Sequence, residues 1–177
     1  MGAPAVVSWP PGGSAWGNAR VDGVLFDGPK PFRPEVFFIG RTEGWGVARG
    51  PGGQVQRRCQ VTTDGRFDDA YRALHLDETY AWDDGESETW RWAMTRGLDG
   101  RYVAAEALAG PGIQGRHSRS GDYVLSFRRP ARADGGPKLR FVTRFTVVSP
   151  EVVLKTARVS LFGLPVGSLT VFHRLVI

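Results

Sequence analysis

The chain has 177 residues, of which 41% are hydrophobic and 23% charged, and this suits one domain with a substantial core. A single cysteine, Cys59, excludes an intrachain disulfide and a cysteine-based metal cluster. No stretch approaches the ~20 apolar residues of a transmembrane helix, and the N-terminal segment has no signal-peptide pattern. We therefore expect a cytoplasmic protein that needs neither a metal nor a cofactor.

The N-terminal residues 1–30 are rich in Gly and Pro and follow no period, so we predict an irregular arm there. A single β-barrel domain is predicted over residues 31–177. Residues 31–40 predict a short helical turn that begins at Pro34, because proline is favoured in the first turn of a helix. The apolar residues 37–39 would then plug one end of the barrel.

Nine short runs follow in which apolar and polar residues alternate, with Gly, Pro or Asp-Gly turns between them. They cover residues 44–49, 55–62, 74–81, 89–94, 101–107, 122–128, 139–148, 151–160 and 166–176. Their spacing of about ten residues, without a long crossover, favours a barrel over a sandwich. We predict an all-β fold, an antiparallel β-barrel of about nine strands, with residues 109–119 as a glycine-rich connection.

The run 73–94 predicts the central hairpin of this barrel. Its turn is placed at Asp84-Gly85, since this dipeptide tolerates the positive φ angles of a type I′ turn. Counting outward from that turn pairs Glu78 with Arg91 on one face. The opposite face would carry His75, Asp77, Thr79, Trp90, Trp92 and Met94.

If the face with Glu78 and Arg91 points inward, a carboxylate and a guanidinium lie in an apolar lumen. Arg91 could then anchor the carboxylate or carbonyl group of a ligand, oriented by Glu78. The alternative is an ion pair that only fixes the strand register. Aromatic side chains would supply the apolar ligand contacts: Trp90, Trp92, Tyr123, Phe141 and Phe145.

The net charge is +5, with the charges spread along the chain, and the densest basic run is residues 128–132, extended by Lys138 and Arg140. A solvated hairpin loop is the simpler interpretation of this run. The functional interpretation is a surface that makes weak contact with phosphates or with an anionic membrane. Nucleic-acid binding is disfavoured, because no aromatic residues spaced for base stacking accompany the basic residues.

Three segments of the chain resemble, in order and spacing, a known bacterial family. They are FFIGRTEGWGVARGPGGQVQRRCQV from Phe37, LDETYAWDDGESETWRW from Leu76 and LFGLPVGSLTVFHR from Leu161. The family consists of small lipoproteins known as domain of unknown function thirty-eight thirty-three, and the resemblance runs from about Phe37 to Arg174. It implies a lipocalin-like barrel whose ligand is a lipid or another apolar small molecule.

The chain departs from that family's pattern in three places. The lipoprotein signal is missing, and the family's segment with two acidic residues and a tryptophan is Val142-Thr143-Arg144 here. A Gly-Asn-Ala sequence of the family is replaced by Gly115-Arg116-His117. These departures imply a diverged member, and chemistry that used those acids does not carry over.

Two functions follow as predictions. The first is a lipocalin-like barrel that binds an apolar lipid-, fatty-acid- or polyketide-like molecule, with its polar head near Glu78 and Arg91. The second is a cofactor-free isomerase or cyclase that acts on such a molecule. In that case Glu78, Tyr80 or His117 would serve as the acid or base, with His117 in the connection expected at the barrel mouth.

Overall fold

The computed structural model describes residues 20–21, 24–25, 31–99 and 101–176. The chain divides into two compact units, residues 1–30 and residues 31–177. In the first unit, strands β1 (Arg20–Val21) and β2 (Val24–Leu25) pair as a small antiparallel sheet. The rest of the predicted irregular arm lies outside the described residues.

The second unit contains ten antiparallel strands that close into a barrel. They are β3 (Gly40–Arg49), β4 (Val55–Asp68), β5 (Ala73–Trp82), β6 (Ser87–Arg96), β7 (Tyr102–Glu106), β8 (Gly110–His117), β9 (Tyr123–Arg132), β10 (Gly135–Ser149), β11 (Val152–Leu161) and β12 (Leu164–Leu175). Each strand pairs with the next one in the chain, and β12 returns to pair with β3. The predicted all-β antiparallel barrel is therefore confirmed, with ten strands instead of about nine.

The additional strand is β8, which the sequence predicted as a glycine-rich connection. Its glycines mask the alternation of inward and outward side chains, although Ile113 does face the interior with 6% exposure. Gly115 also faces inward, and a Cβ atom there would collide with the ring of Tyr123. The strand is glycine-rich because an aromatic ring occupies the space that side chains would need.

One end of the barrel is closed by helix α1 (Pro34–Phe37), which begins at the predicted proline. Phe37 and Phe38 are buried as the sequence predicted, whereas Ile39 is 51% exposed. The ring of Phe32 stacks on Phe145 of β10, with 5.2 Å between the ring centroids. We call this end the closed end, and the opposite end, which carries the hairpin loops at residues 83–86 and 162–163, the open end.

Aromatic side chains fill much of the space between the two ends. Phe127 and Phe141 are stacked with 5.3 Å between ring centroids, and Trp90 meets Phe141 edge-on at 5.4 Å. Burial of each such side chain contributes ~1.5–3 kcal/mol to folding. The core is therefore the barrel interior itself.

Among the described residues, no helix has the length and apolar character needed to cross a membrane. The same residues contain no group of three or more His, Cys, Asp or Glu side chains arranged to hold a metal ion.

Candidate functional site

The hairpin of β5 and β6 has a register one residue away from the predicted one. The N–H of Gly85 donates to the carbonyl oxygen of Trp82 at 3.0 Å, and the N–H of Trp82 donates to that of Glu86 at 2.8 Å. The loop is therefore Asp83-Asp84-Gly85, with Gly85 at a φ of 87°. A three-residue loop that ends in a left-handed glycine is a common alternative to the two-residue type I′ turn.

The shift by one residue changes which side chains share a face. Glu78 pairs with Trp90, while Arg91 pairs with Asp77. The predicted pairing of Glu78 with Arg91 is wrong, since the Arg91 side chain is 70% exposed and lies outside the barrel, 3.9 Å from Asp77. Trp90 and Trp92 were assigned to the face opposite Glu78 and instead share its inward face.

The partner of Glu78 is Lys155, from the far side of the barrel on β11. The ammonium nitrogen Nζ of Lys155 donates to both carboxylate oxygens of Glu78, at 2.6 and 2.8 Å, and to the hydroxyl oxygen of Tyr80 at 2.7 Å. Glu78 and Lys155 are each only 4% exposed. A fourth group, His173 on β12, places Nε2 3.7 Å from Oε1 of Glu78. The result is a polar cluster of four side chains inside an otherwise apolar barrel.

Burial and charge set the protonation states in this cluster. Burial by itself would raise the pKa of Glu78, but Lys155 and His173 outweigh it, and the pKa lies below its ordinary value. Burial and the neighbouring Glu78 raise the pKa of Tyr80 well above its ordinary value. Burial lowers the pKa of His173 to about 4. Near neutral pH the cluster therefore holds an ionised Glu78, a protonated Tyr80 and a neutral His173.

A small void lies directly beside this cluster, on the side of the closed end. Its volume is about 20 Å³, and Glu78, Lys155, Thr63 and Thr143 line it together with apolar and aromatic side chains. The hydroxyl oxygen of Thr63 is buried without a hydrogen-bond partner. A void of this size and polarity suits about one water molecule and excludes an organic ligand.

A larger pocket, of about 270 Å³, opens from the cluster toward the open end. Lys155 and Tyr80 line it, whereas Glu78 lies behind them and contributes nothing to its wall. Its other contacts are mainly apolar or aromatic and include Trp82, Trp90, Leu139, Phe141 and Leu169. The interior thus offers space for a ligand in the half of the barrel that faces the open end.

Arg129 on β9 is one of four charged residues that line this pocket, and it is only 4% exposed. Its guanidinium carbon lies 4.0 Å above the ring centre of Trp90. Two carboxylates flank it, with Nε 3.4 Å from Oε2 of Glu106 and Nη1 3.6 Å from Oε2 of Glu88. Glu106 is itself fixed by the N–H groups of residues 108 and 109, at 3.0 and 2.8 Å. Stacking and ion pairing therefore hold the guanidinium in one orientation.

Two donor groups in this region are buried without a hydrogen-bond partner, namely Nε of Arg129 and Nε1 of Trp90. A buried donor without a partner costs ~1–3 kcal/mol, which is recovered when an acceptor arrives. Both residues line the pocket. Nε of Arg129 already lies 3.4 Å from Oε2 of Glu106, so Nε1 of Trp90 is the donor left without a partner.

The residues predicted for the site fall into four places. Tyr80, Trp90 and Phe141 line the open-end pocket. Glu78, Trp92 and Phe145 surround the small void. Tyr123 lies near the closed end, where Nε2 of His117 donates to the carbonyl oxygen of Phe32 at 2.7 Å. Arg91 is outside, so the structure does not bring the predicted residues together as one site.

His117 in particular was expected at the barrel mouth, and that prediction is wrong. Since residues 110–117 form a strand, the chain carries His117 to the end that is closed by α1. The basic run 128–132 is likewise no loop, because it continues strand β9. Its second residue, Arg129, points inward for that reason.

Sequence reasoning missed Lys155, Arg129 and the contact of His173 with Glu78. A signal for Arg129 was present, since Tyr123, Leu125 and Phe127 alternate on one face and position 129 continues that period. Lys155 likewise alternates with Val153 and Ala157 on a buried face. In both strands, a charged residue in line with buried apolar residues predicts a charged group inside the barrel.

The fold and the site together define a closed antiparallel β-barrel with one plugged end and one open end that leads to a buried polar cluster. The chain belongs to the family described as protein of unknown function (DUF3833), whose family model matches residues 19–174. The resemblance of the three sequence segments to this family is thereby confirmed.

Solved structures add a fold neighbour. The S-type phycobiliprotein lyase CPES from Guillardia theta is similar with a TM-score of 0.57 and 10% identity, over 82% of this chain and 94% of that chain. A redesigned β-barrel, mFAP0, bound to DFHBI, is similar with a TM-score of 0.45 and 12% identity, over 78% of this chain and 99% of that chain. The first similarity shows the fold alone, and the second is too low to carry an argument. No curated protein matches this chain.

Proposed function

We propose that the barrel binds a small amphipathic molecule in the open-end pocket, between the rings of Trp82, Trp90 and Phe141. The observation that carries this proposal is a pocket of about 270 Å³ that combines apolar and aromatic walls with the buried guanidinium of Arg129 and the indole of Trp90, whose N–H has no hydrogen-bond partner. Ligand pockets combine apolar walls with a few placed polar groups in this way. The volume favours a compact ligand or the head and first part of a longer one.

The polar part of the ligand would meet Arg129 and the N–H of Trp90. These groups are donors, so they select an acceptor such as a carbonyl, hydroxyl or carboxylate oxygen. Lys155 is less available, because its ammonium group already donates to Glu78 and Tyr80. The polar head is therefore assigned to Arg129 on the pocket wall and not to Arg91, whose side chain lies outside the barrel.

The fold shared with a phycobiliprotein lyase is compatible with this proposal, but the argument rests on the pocket. A lipid, a fatty acid or a polyketide-like molecule each offers an apolar body and an oxygen-containing head. The aromatic walls support an apolar body for the ligand.

The direct experiment is native mass spectrometry of the full chain after mild purification, followed by thermal melting with a panel of fatty acids and aromatic polyketides. We expect a bound mass, or a rise in melting temperature with some member of the panel. Ala48 faces the pocket, so Ala48→Trp should abolish the effect, whereas Val47→Trp on the same strand faces outward and should preserve it. An equal response of both variants, or no bound molecule and flat melting curves, would contradict the proposal.

A second pair of variants separates the head contact from the pocket itself. Arg129→Gln removes the proposed donor, while Arg128→Gln removes the same charge from the exposed face of the same strand. We expect about tenfold weaker binding for Arg129→Gln and no change for Arg128→Gln. Binding that is equally strong in both would place the head elsewhere.

A second candidate function is the cofactor-free isomerase or cyclase, for which Tyr80 lines the open-end pocket and Glu78 lies directly behind it. His117, the third predicted catalytic residue, lies at the closed end, away from this pocket. The lowered pKa makes Glu78 a weaker base and the raised pKa makes Tyr80 a weaker proton donor near neutral pH, so binding without turnover is the better supported function. A binding protein returns one unchanged molecule on extraction, whereas an enzyme returns a mixture of substrate and product.

A further inference from the structure

The hairpin between β11 and β12 carries a feature that the binding of a small molecule does not explain. Its loop consists of Phe162 and Gly163 alone, because Leu161 pairs with Leu164. Both loop residues have positive φ angles, 51° and 87°, as in a type I′ turn. Such positions favour Asn, Asp or Gly, and a bulky residue there is strained.

Phe162 is also 94% exposed, and its neighbour Leu164 is 70% exposed. A strained backbone and an unburied phenyl ring are both unfavourable for the isolated protein. Asparagine at the same position would relieve the strain without exposing apolar surface. The presence of phenylalanine at the tip therefore indicates a contact made outside the chain.

The strands beside this tip supply a matching charge pattern. Exposed basic side chains are found on the outer surface near the open end, namely Lys138, Arg140 and Arg158. Arg140 pairs directly with Arg128 of β9, and both are exposed, an arrangement in which like charges repel. The acidic residue of the β9–β10 hairpin, Asp134, is engaged by Arg132 at 3.2 Å. The surroundings of the tip therefore carry an excess of positive charge.

The exposed apolar residues at the closed end have no such excess of basic side chains around them. Tyr71 is 77% exposed and Leu98 is essentially fully exposed, but the side chains around them carry both signs of charge, namely Asp68, Asp69 and Asp99 beside Arg72, Arg96 and Arg101. Within residues 31–99 and 101–176, the strands that flank the tip carry the clearer excess of basic side chains. The carboxylates of the 83–86 hairpin at the same end are paired with Arg57 and Arg58. This polarity gives the barrel a defined docking face.

We propose that the open end docks on an anionic lipid bilayer, with Phe162 and Leu164 inserted among the head groups. Lys138, Arg140 and Arg158 would contact the lipid phosphates around them. Apolar insertion combined with basic side chains is the physical basis of attachment to membrane surfaces. The docked barrel would hold its open-end pocket against the bilayer, although the docking does not depend on what that pocket binds.

The test measures co-sedimentation of the full chain with vesicles of phosphatidylcholine and phosphatidylglycerol, compared with vesicles of phosphatidylcholine alone. We expect binding to the anionic vesicles at low ionic strength and a loss of binding as salt is raised. Phe162→Asn should weaken partitioning about tenfold. The same substitution should raise the melting temperature, because asparagine suits the type I′ turn, so misfolding cannot explain the lost binding.

Matched variants at the closed end serve as controls. Tyr71→Asn removes an exposed aromatic residue there, and we expect unchanged partitioning. The double variant Lys138→Gln/Arg140→Gln should bind about tenfold more weakly, whereas Arg116→Gln/Arg119→Gln, with the same net charge, should bind normally. All four basic residues are exposed, so the two double variants differ only in location.

Three outcomes would overturn the proposal. The first is no preference for anionic vesicles, and the second is an equal loss of binding in the closed-end variants. The third is a Phe162→Asn variant that binds vesicles normally while the basic variants fail. If a labelled single-stranded oligonucleotide then bound more tightly than vesicles, the basic surface would be assigned to nucleic acid instead.

Discussion

Nζ of Lys155 lies within 2.8 Å of both carboxylate oxygens of Glu78, although 77 positions separate the two residues in the chain. The pair spans the interior of the barrel, between β11 and β5. Taking two charges out of water is costly, and a buried ion pair is seldom more stabilising than apolar residues of similar volume. Lys155 lines the open-end pocket and Glu78 lies directly behind it, so a role in the proposed site explains the pair better than stability does.

The buried pair can be compared with an exposed pair on the opposite face of the same hairpin. Removal of one partner by Lys155→Met or Glu78→Gln should cost ~3–5 kcal/mol, and the double variant should cost less than the sum. Asp77→Asn and Arg91→Met, in the exposed pair, should each cost under ~1 kcal/mol. Urea unfolding of the six proteins checks this, and similar costs for both pairs would contradict the assigned register.

His173 predicts a dependence of stability on pH. Its pKa is lowered to about 4 in the folded protein by burial, from an ordinary value of 6.5, so the unfolded chain binds the proton first as pH falls. The free energy of unfolding should therefore decrease from pH 6.5 downward, by about 2 kcal/mol on reaching pH 5.

His173→Gln should flatten this decrease, while His75→Gln, on the outer face of β5, should retain it. Measurements are kept above pH 5 because Glu78, with a lowered pKa, adds a loss of the same sign at more acidic pH. A slope that is unchanged in His173→Gln would assign the pH dependence to other groups.

Gly65 of β4 lies under the closed-end plug. A Cβ atom there would collide with the carbonyl oxygen of Phe38, which is backbone and cannot rotate away. Gly65→Ala should therefore displace α1 and lower the free energy of unfolding by ~2 kcal/mol or more. Gly52→Ala, whose Cβ would meet only the flexible side chain of Gln54, should change it by less than ~0.5 kcal/mol. Equal changes in the free energy of unfolding of the two variants would show that the segment around Phe38 shifts to accommodate the added methyl group.

Cys59 offers a simple chemical probe of the barrel wall. It is 6% exposed, and burial raises the pKa of its thiol to about 11. Since the thiolate is the reactive form, the native protein should react with an aromatic disulfide reagent at pH 8 at least ~100-fold more slowly than the urea-unfolded chain. Rapid labelling of the native protein would indicate that β4 opens readily.

Much of the fold is predictable from the sequence because its signals are local. Alternating side chains in β5, β6 and β10, together with Gly-containing turns, indicate antiparallel strands without reference to distant residues. The plug is likewise encoded locally, by Pro34 followed by two adjacent phenylalanines. The strand β8 was not predicted, because its inward position 115 is a glycine instead of an apolar side chain, and the ring of Tyr123 fills the space above it.

The site is less predictable, for two physical reasons. Asp84-Gly85 fits a two-residue turn as well as the end of a three-residue loop, and this single difference decides whether Arg91 or Trp90 lies opposite Glu78. The contact of Glu78 with Lys155 crosses the barrel, so it depends on how far the closed sheet is staggered. The local sequence around Glu78 or Lys155 does not predict that stagger, because it is a property of the whole closed sheet.

The pairing of β12 with β3 also governs how this molecule can be made. Every other pairing in the barrel joins strands that are adjacent in the chain. The second edge of β3 stays unpaired until residues 168–175 are available, which pair with residues 42–49. During synthesis on the ribosome, the growing sheet therefore has two unpaired edges until its last strand emerges. Unpaired edges recruit strands of other chains, so protection by chaperones during translation matters most in that interval. A premature stop anywhere before β12 would leave both edges permanently exposed.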